Sequence, residues 1–167
     1  MANVHDVAAY VLSKSGRMSA MKLQKLVYYC QAWHLAWEER PLFPERIEAW
    51  ANGPVVYELF DLHRGRFTLD DWPQGDPAKL NWTETDTVDA VLRDYGELNA
   101  RKLSHLTHSE RPWRDAREGL APDDRSSREI TQGAMHEYYS SLDADTDAQS
   151  PGDLDWEAWE HSGLNAE

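Results

Sequence analysis

The chain has 167 residues, with 30 Asp or Glu against 17 Lys or Arg, a formal net charge of −13. That length suits one domain with a well-buried core and is short for two, while the charge opposes unaided binding to a phosphate backbone or an anionic membrane. A single cysteine, Cys30, excludes an internal disulfide and a cysteine-based zinc cluster, so the core must hold without covalent or metal staples.

The amino-terminal stretch MANVHDVAAYVLSKSG lacks a basic start and a cleavage site, and no apolar run approaches the roughly 20 residues of a membrane helix. A cytoplasmic protein is expected. Val4, Val7, Ala8, Val11 and Leu12 have the i, i+3, i+4, i+7, i+8 spacing of an amphipathic helix, with Gly16 as its stop. Ser19 can accept a hydrogen bond from a free amide at the start of a second helix, from about Ala20 to Glu39, which ends before Pro41. On this helix Leu23, Leu26, Val27, Cys30, Trp33, His34 and Trp37 share one arc, while Tyr28 and Leu35 lie well outside it. A helix that is apolar on two faces packs on both, which predicts a central buried helix around which the others assemble.

Ile47 to Trp50 has β-compatible residues and could pair with Arg66 to Leu69 as one short β-hairpin. Asn52 as cap, Gly53 as turn and Pro54 in a first turn predict a helix from Pro54 to about His63, stopped by Gly65. Asp70 to Trp82, with Pro73, Gly75 and Pro77, reads as a loop. Thr83 and Asp86 resemble a capping box for a helix with Val88, Val91, Leu92 and Tyr95 on one face, and Gly96 bends or breaks it before ELNARKLSHLTH. Ser109 is placed to cap a short helix in SERPWRDAREG. Ser126 and Glu129 form an S-x-x-E box for a last helix carrying Ile130, Ala134, Tyr138 and Leu142. The expected fold is mainly α: a single compact helical domain over residues 1–142, followed by an acidic, Trp-containing segment over 143–167. That segment holds eight acids and no Lys or Arg, which leaves 22 acids and 17 bases in the rest.

Four blocks, MKLQKLVYYCQAWHLA, PLFPERIEAWANGPVVYELF, LSHLTHSERPW and REITQGAMHEYY, resemble in that order the Panacea domain, the family that includes the SocA-like antitoxins and phage-associated proteins of the same type. The resemblance covers about Val4 to Leu142. It implies a largely α-helical domain found in toxin–antitoxin gene pairs, where it neutralises protein toxins, commonly by direct binding. One member, SocA, looks instead like an adaptor that delivers its toxin to an unfoldase–protease pair. The family brings no catalytic residues to carry over, so no catalytic residue, cofactor or metal is expected.

The residues themselves offer weaker chemistry. His105 and His108, with Glu110 beyond, have the i, i+3 spacing of two helix-borne metal ligands but need a third from elsewhere, and hydrogen bonding at a helix end is the better account of them. Cys30 and His34, four residues apart, could pair a thiol with an imidazole, yet both fall in the apolar arc, where burial disfavours thiolate. A hydrolase built on these groups is the remaining alternative. Eight tryptophans are more informative, because aromatics anchor protein interfaces. Trp33 and Trp37 read as core. Trp72, Trp82, Leu154, Trp156 and Trp159 lie in loops or in the acidic segment and are the expected partner-binding residues. The acidic segment with its aromatic anchors suits a basic, apolar groove on a partner.

Overall fold

A computed structural model describes residues 2–145. Seven α-helices and five short strands lie among them, in the order α1 (Val4–Ser15), β1 (Met18–Ser19), α2 (Ala20–Glu38), β2 (Ile47–Trp50), β3 (Gly53–Val56), α3 (Tyr57–His63), β4 (Thr68–Leu69), α4 (Trp82–Tyr95), α5 (Ala100–His108), α6 (Arg111–Ala116), β5 (Glu129–Ile130) and α7 (Gln132–Ala144). The mainly α architecture is the expected one. Leu154, Trp156 and Trp159 lie outside the described residues.

Helix α2 is the centre. Ser19 caps it by accepting the Lys22 N–H at 3.1 Å, and Glu39 ends it in a left-handed conformation. Every residue from Leu23 to Leu35 is buried, so both apolar faces are covered. Helices α1, α4, α5 and α7 pack around it, as does strand β3. Trp33 is buried, and Trp37, one turn on, is partly open at the helix end, where its indole donates to Asp143 of α7 at 3.3 Å.

The strands depart from the expectation. Ile47–Trp50 does form a strand, but it pairs antiparallel with Gly53–Val56 and with Glu129–Ile130, in the sheet order β3-β2-β5. Thr68–Leu69 pairs instead with Met18–Ser19. Gly53–Val56 is therefore a strand where a helix start was expected, and α3 begins only at Tyr57. Pro54 is tolerated because β3 is an edge strand, where a missing N–H breaks no inner ladder. Glu129 likewise belongs to β5, so Thr131 rather than Ser126 caps α7 by accepting from Ala134 N–H. The other helix starts shift by a residue or two: Asn81 with Glu84 forms the capping box of α4, and Glu110 precedes α6 with Pro112 in its first turn.

Two glutamines of α2, two helical turns apart, explain why the hairpin lies where it does. The Gln24 side chain accepts the Val56 N–H at 2.9 Å and donates to the Val56 carbonyl at 3.2 Å, completing both backbone bonds of a buried strand residue. Gln31 accepts from Leu42 N–H at 2.7 Å and Phe43 N–H at 3.3 Å and donates to the Phe43 carbonyl at 2.8 Å. The hairpin is also gripped from outside. Trp113 Nε1 donates to the Trp50 carbonyl at 2.8 Å, Arg117 Nη1 to the Ala49 carbonyl at 2.9 Å, and Ser104 Oγ to the Asn52 carbonyl at 2.7 Å.

Replacing Gln24 with Leu keeps the volume but strands a buried N–H and C=O on Val56. At about 1–3 kcal/mol for each unsatisfied group, Gln24→Leu is expected to lose roughly 2–5 kcal/mol in urea unfolding followed by tryptophan fluorescence. A loss below about 1 kcal/mol would show that Val56 finds other partners.

Candidate functional site

The interior of the helical layer is a polar–aromatic network built on Glu110, the residue just before α6. Its Oε1 accepts from Tyr29 OH and from Tyr139 OH, each at 2.7 Å. Because the Tyr139 proton goes to Glu110, Tyr28 OH donates to the Tyr139 oxygen at 3.1 Å. Tyr95 stacks on Tyr29 at 4.2 Å between centroids and accepts from Trp33 Nε1 at 2.9 Å. Burial drives the Tyr28, Tyr29, Tyr95 and Tyr139 phenols well above their usual range, with the nearby Glu110 carboxylate adding to it. Burial also pushes the Glu110 carboxyl up to about 7, outweighing its two tyrosine donors.

A second buried group lies beneath the hairpin. Lys25 is wholly inaccessible and its Nζ has no hydrogen-bond partner among the described residues; burial alone lowers it to about 7. Its stem runs under Gly53, where a Cβ would come within 2.4 Å of Lys25 Cε and where φ is +121°, so both space and backbone require glycine. The Lys25 charge is felt by two histidines. His63 is lowered by burial first, and His108 is lowered to about 4 by burial and then by Lys25.

The histidines and the cysteine do not converge. His108 stacks on Trp113 at 3.9 Å, while Glu110 turns to the tyrosines. Among the described residues no group of three or more His, Cys, Asp or Glu is arranged to hold a metal ion. Cys30 is buried and its thiol is pushed far up by burial, which keeps it protonated. His34, one turn away, engages the Thr87 hydroxyl at 2.8 Å through Nδ1. Thr87 Oγ1 donates onward to the Thr83 carbonyl, which assigns the proton of that contact to His34 Nδ1 and leaves Nε2 unprotonated.

Of the expected partner-binding residues, Trp82 stands 76 % exposed at the start of α4. Trp72 is only 3 % exposed: its indole donates to His5 Nδ1 at 3.1 Å and its loop is drawn onto α1. The signals for that burial are Asp6, which accepts the Asp76 N–H at 2.9 Å, and Gly75, whose absent side chain lets the loop lie against the His5 carbonyl. Trp72 is thus part of the frame and does not face outward. The sequence reading missed Phe67, the most exposed large apolar residue among the described residues at 89 %, and a surface cluster in which Trp50 meets the Phe60 ring at 4.8 Å and the Tyr57 ring at 6.5 Å. Arg64 lies over Phe60 at 5.0 Å.

It also missed a groove of about 330 Å³ between α6 and α7. Tyr138, Leu142 and Pro112 supply apolar wall, and Arg111, Asp115, Glu137 and Asp145 add charged groups to the lining. On α7 the inward turn carries Met135 and Tyr139, while Tyr138 and Ser141 reach the groove. Two adjacent tyrosines therefore serve different faces of the same helix.

Fold and surface together define a mainly α domain organised on one buried helix, with a small antiparallel hairpin clasped to it. The family model described as antitoxin SocA-like, Panacea domain, matches residues 23–114, and the chain belongs to that family. The matched span runs from α2 into α6 and so includes both glutamines, Lys25, Gly53, Glu110 and Trp113, but neither α1 nor α7. No curated protein and no solved structure matches the chain. Among the described residues no helix is long and apolar enough to cross a membrane.

The two buried ionisable groups titrate against stability in opposite directions. Lys25 is about 7 in the folded state against an ordinary 10.5, so the unfolded chain binds the extra proton between those values. Wild type therefore gains on Lys25→Met by up to about 1.4 kcal/mol per pH unit over that interval, and the variant's advantage is greatest below it. Glu110 is about 7 folded against 4.5 ordinarily, so the folded chain holds the extra proton between them. Wild type loses stability relative to Glu110→Gln as pH rises through that range and the difference then levels off. Urea unfolding of the three proteins across pH checks both signs; parallel curves for a variant and wild type would contradict its assigned shift.

Proposed function

We propose that this chain is an antitoxin that neutralises a cognate protein toxin, encoded by an adjacent gene, through direct protein–protein binding in the cytoplasm. The observation that carries the reading is membership of the SocA-like, Panacea-domain antitoxin family. Two features of the molecule support it. Phe67 and Trp82 are large apolar residues held out from a tightly bonded frame, as interface anchors are. The net charge of −13, more than half of it after Leu142, favours encounter with a basic partner and disfavours nucleic acid or an anionic membrane as a target.

In this reading residues 1–142 form the docking body, and the acidic segment 143–167, with Leu154, Trp156 and Trp159, adds a second contact. Trp82 is the contact residue on the body, and Trp72 acts by holding the loop before α4. No bond-making chemistry is assigned to the chain. The adjacent gene's product is expected to arrest growth when expressed alone, to be neutralised on coexpression, and to elute with this chain as one species on size exclusion. Neutralisation by masking leaves the toxin level constant in a chase after synthesis is stopped. A level that falls only when this chain is present would instead identify a protease adaptor, and absence of both rescue and complex would reject the antitoxin reading.

A further inference from the structure

The groove between α6 and α7 has a chemistry that selects its occupant. Its lining carries three carboxylates, Asp115, Glu137 and Asp145, and one cation, Arg111, which is already engaged by Asp115 at 3.4 Å; Arg114, outside the lining, is near enough to act on Tyr138. Glu137 has no hydrogen-bond or ion-pair partner among the described residues and is exposed on the groove side of α7. Beside it Tyr138 offers a half-buried ring, and Leu142 and Pro112 offer aliphatic surface. A carboxylate next to an aromatic face above an apolar floor fits a planar cation on an aliphatic stem: the stem covers Leu142 and Pro112 while the head meets Glu137 and stacks on Tyr138.

Charge also discriminates among occupants. The chain's own segment after Asp145 carries six acids, one His and no Lys or Arg, so it would set like charge against Glu137. A second copy brings the same net negative charge. We infer that the α6–α7 groove is a docking site for an arginine side chain presented by the toxin, with Glu137 and Tyr138 as the residues that recognise it. This rests on the antitoxin reading and specifies where one anchor of the complex sits.

The groove also lies next to the buried network. Tyr138 is held up at about 12 by burial first and by the Glu110 carboxylate second, with Arg114 and Arg111 acting in the opposite sense.

The full-length chain can be tested first with a small probe pair of one skeleton and opposite charge, 4-phenylbutylguanidinium and 4-phenylbutyrate. The expected result in amide NMR titration is that the guanidinium shifts residues 111–115 and 134–145, that the carboxylate does not, and that Glu137→Lys abolishes the response. Equal response to both probes, or none to the guanidinium, overturns the proposal. The second arm uses the adjacent gene's product. Glu137→Lys and Ser141→Trp, which reverses charge or fills the groove at exposed positions, are each expected to weaken the complex by about tenfold or more. Both variants should keep wild-type circular dichroism and melting. Undiminished affinity of both folded variants rejects the groove while leaving the antitoxin reading intact. Failure of the wild-type chain to bind or neutralise rejects the antitoxin reading, and with it the docking role. If the guanidinium is displaced by the chain's own segment, truncation after Asp145 raises its affinity, and the occupant is then the tail and the proposal is overturned.

Discussion

The structure depends on two amide side chains that act as backbone. A helix cannot ordinarily join a sheet, because its own peptide groups are consumed internally. Helix α2 escapes that limit by presenting Gln24 to Val56 and Gln31 to Leu42 and Phe43, so that buried peptide groups of the hairpin and of the preceding loop are completed by the central helix. Hydrophobic burial alone would let the hairpin slide over α2, since dispersion contacts are non-directional. The glutamines fix its register, and Trp113, Ser104 and Arg117 bond its free carbonyls from the other side. Helices on either side are thereby locked to one small sheet, although the sheet itself is only three strands wide.

Sequence patterns located the parts that depend on near neighbours. The first two helices, the start of the second at Ser19, the two covered faces of α2 and the break at Gly96 all follow from spacing and capping within a few residues. The patterns failed where distant chain completes the structure. Asn52-Gly53-Pro54 has the local chemistry of a helix start, but Gln24 rewards an extended Val56 and Lys25 fills the space under Gly53, so the segment is a strand. Ser126 and Glu129 match a capping box, but β2 recruits Glu129 and Ile130 as an edge strand. Trp72 shows the same limit at the level of function: a tryptophan in a Pro- and Gly-rich loop suggests an anchor, whereas the His5 contact 67 positions away makes it core. Trp82 had no such partner and stayed outside.

The buried ionisable groups are costly, and their placement indicates why the cost is carried. Lys25 and Glu110 both sit on the central layer, one under the hairpin and one under α7, and burial is the main cause of both shifts. An apolar substitute at either position would remove a desolvation penalty. Glu110, however, collects two tyrosine hydroxyls from different helices onto one oxygen, which sets the rotation of α7 against α2. This is directional information that an aliphatic side chain does not supply. Lys25 has no comparable acceptor among the described residues, and burial correspondingly favours its neutral form.

The rotation of α7 is what connects frame and surface. Tyr139 enters the Glu110 network, and since successive helical residues point about 100° apart, its engagement compels Tyr138 and Glu137 to face away from α2, toward α6. The groove is therefore tied to the buried network: the Tyr139–Glu110 bond, with the Tyr28–Tyr139 and Trp37–Asp143 contacts and the buried Met135, fixes the rotation that turns Tyr138 and Glu137 toward α6. The Glu110 carboxylate raises the Tyr138 phenol, so the groove wall and the buried network share an electrostatic contact. Frame and groove thus meet in one pair of adjacent tyrosines on α7.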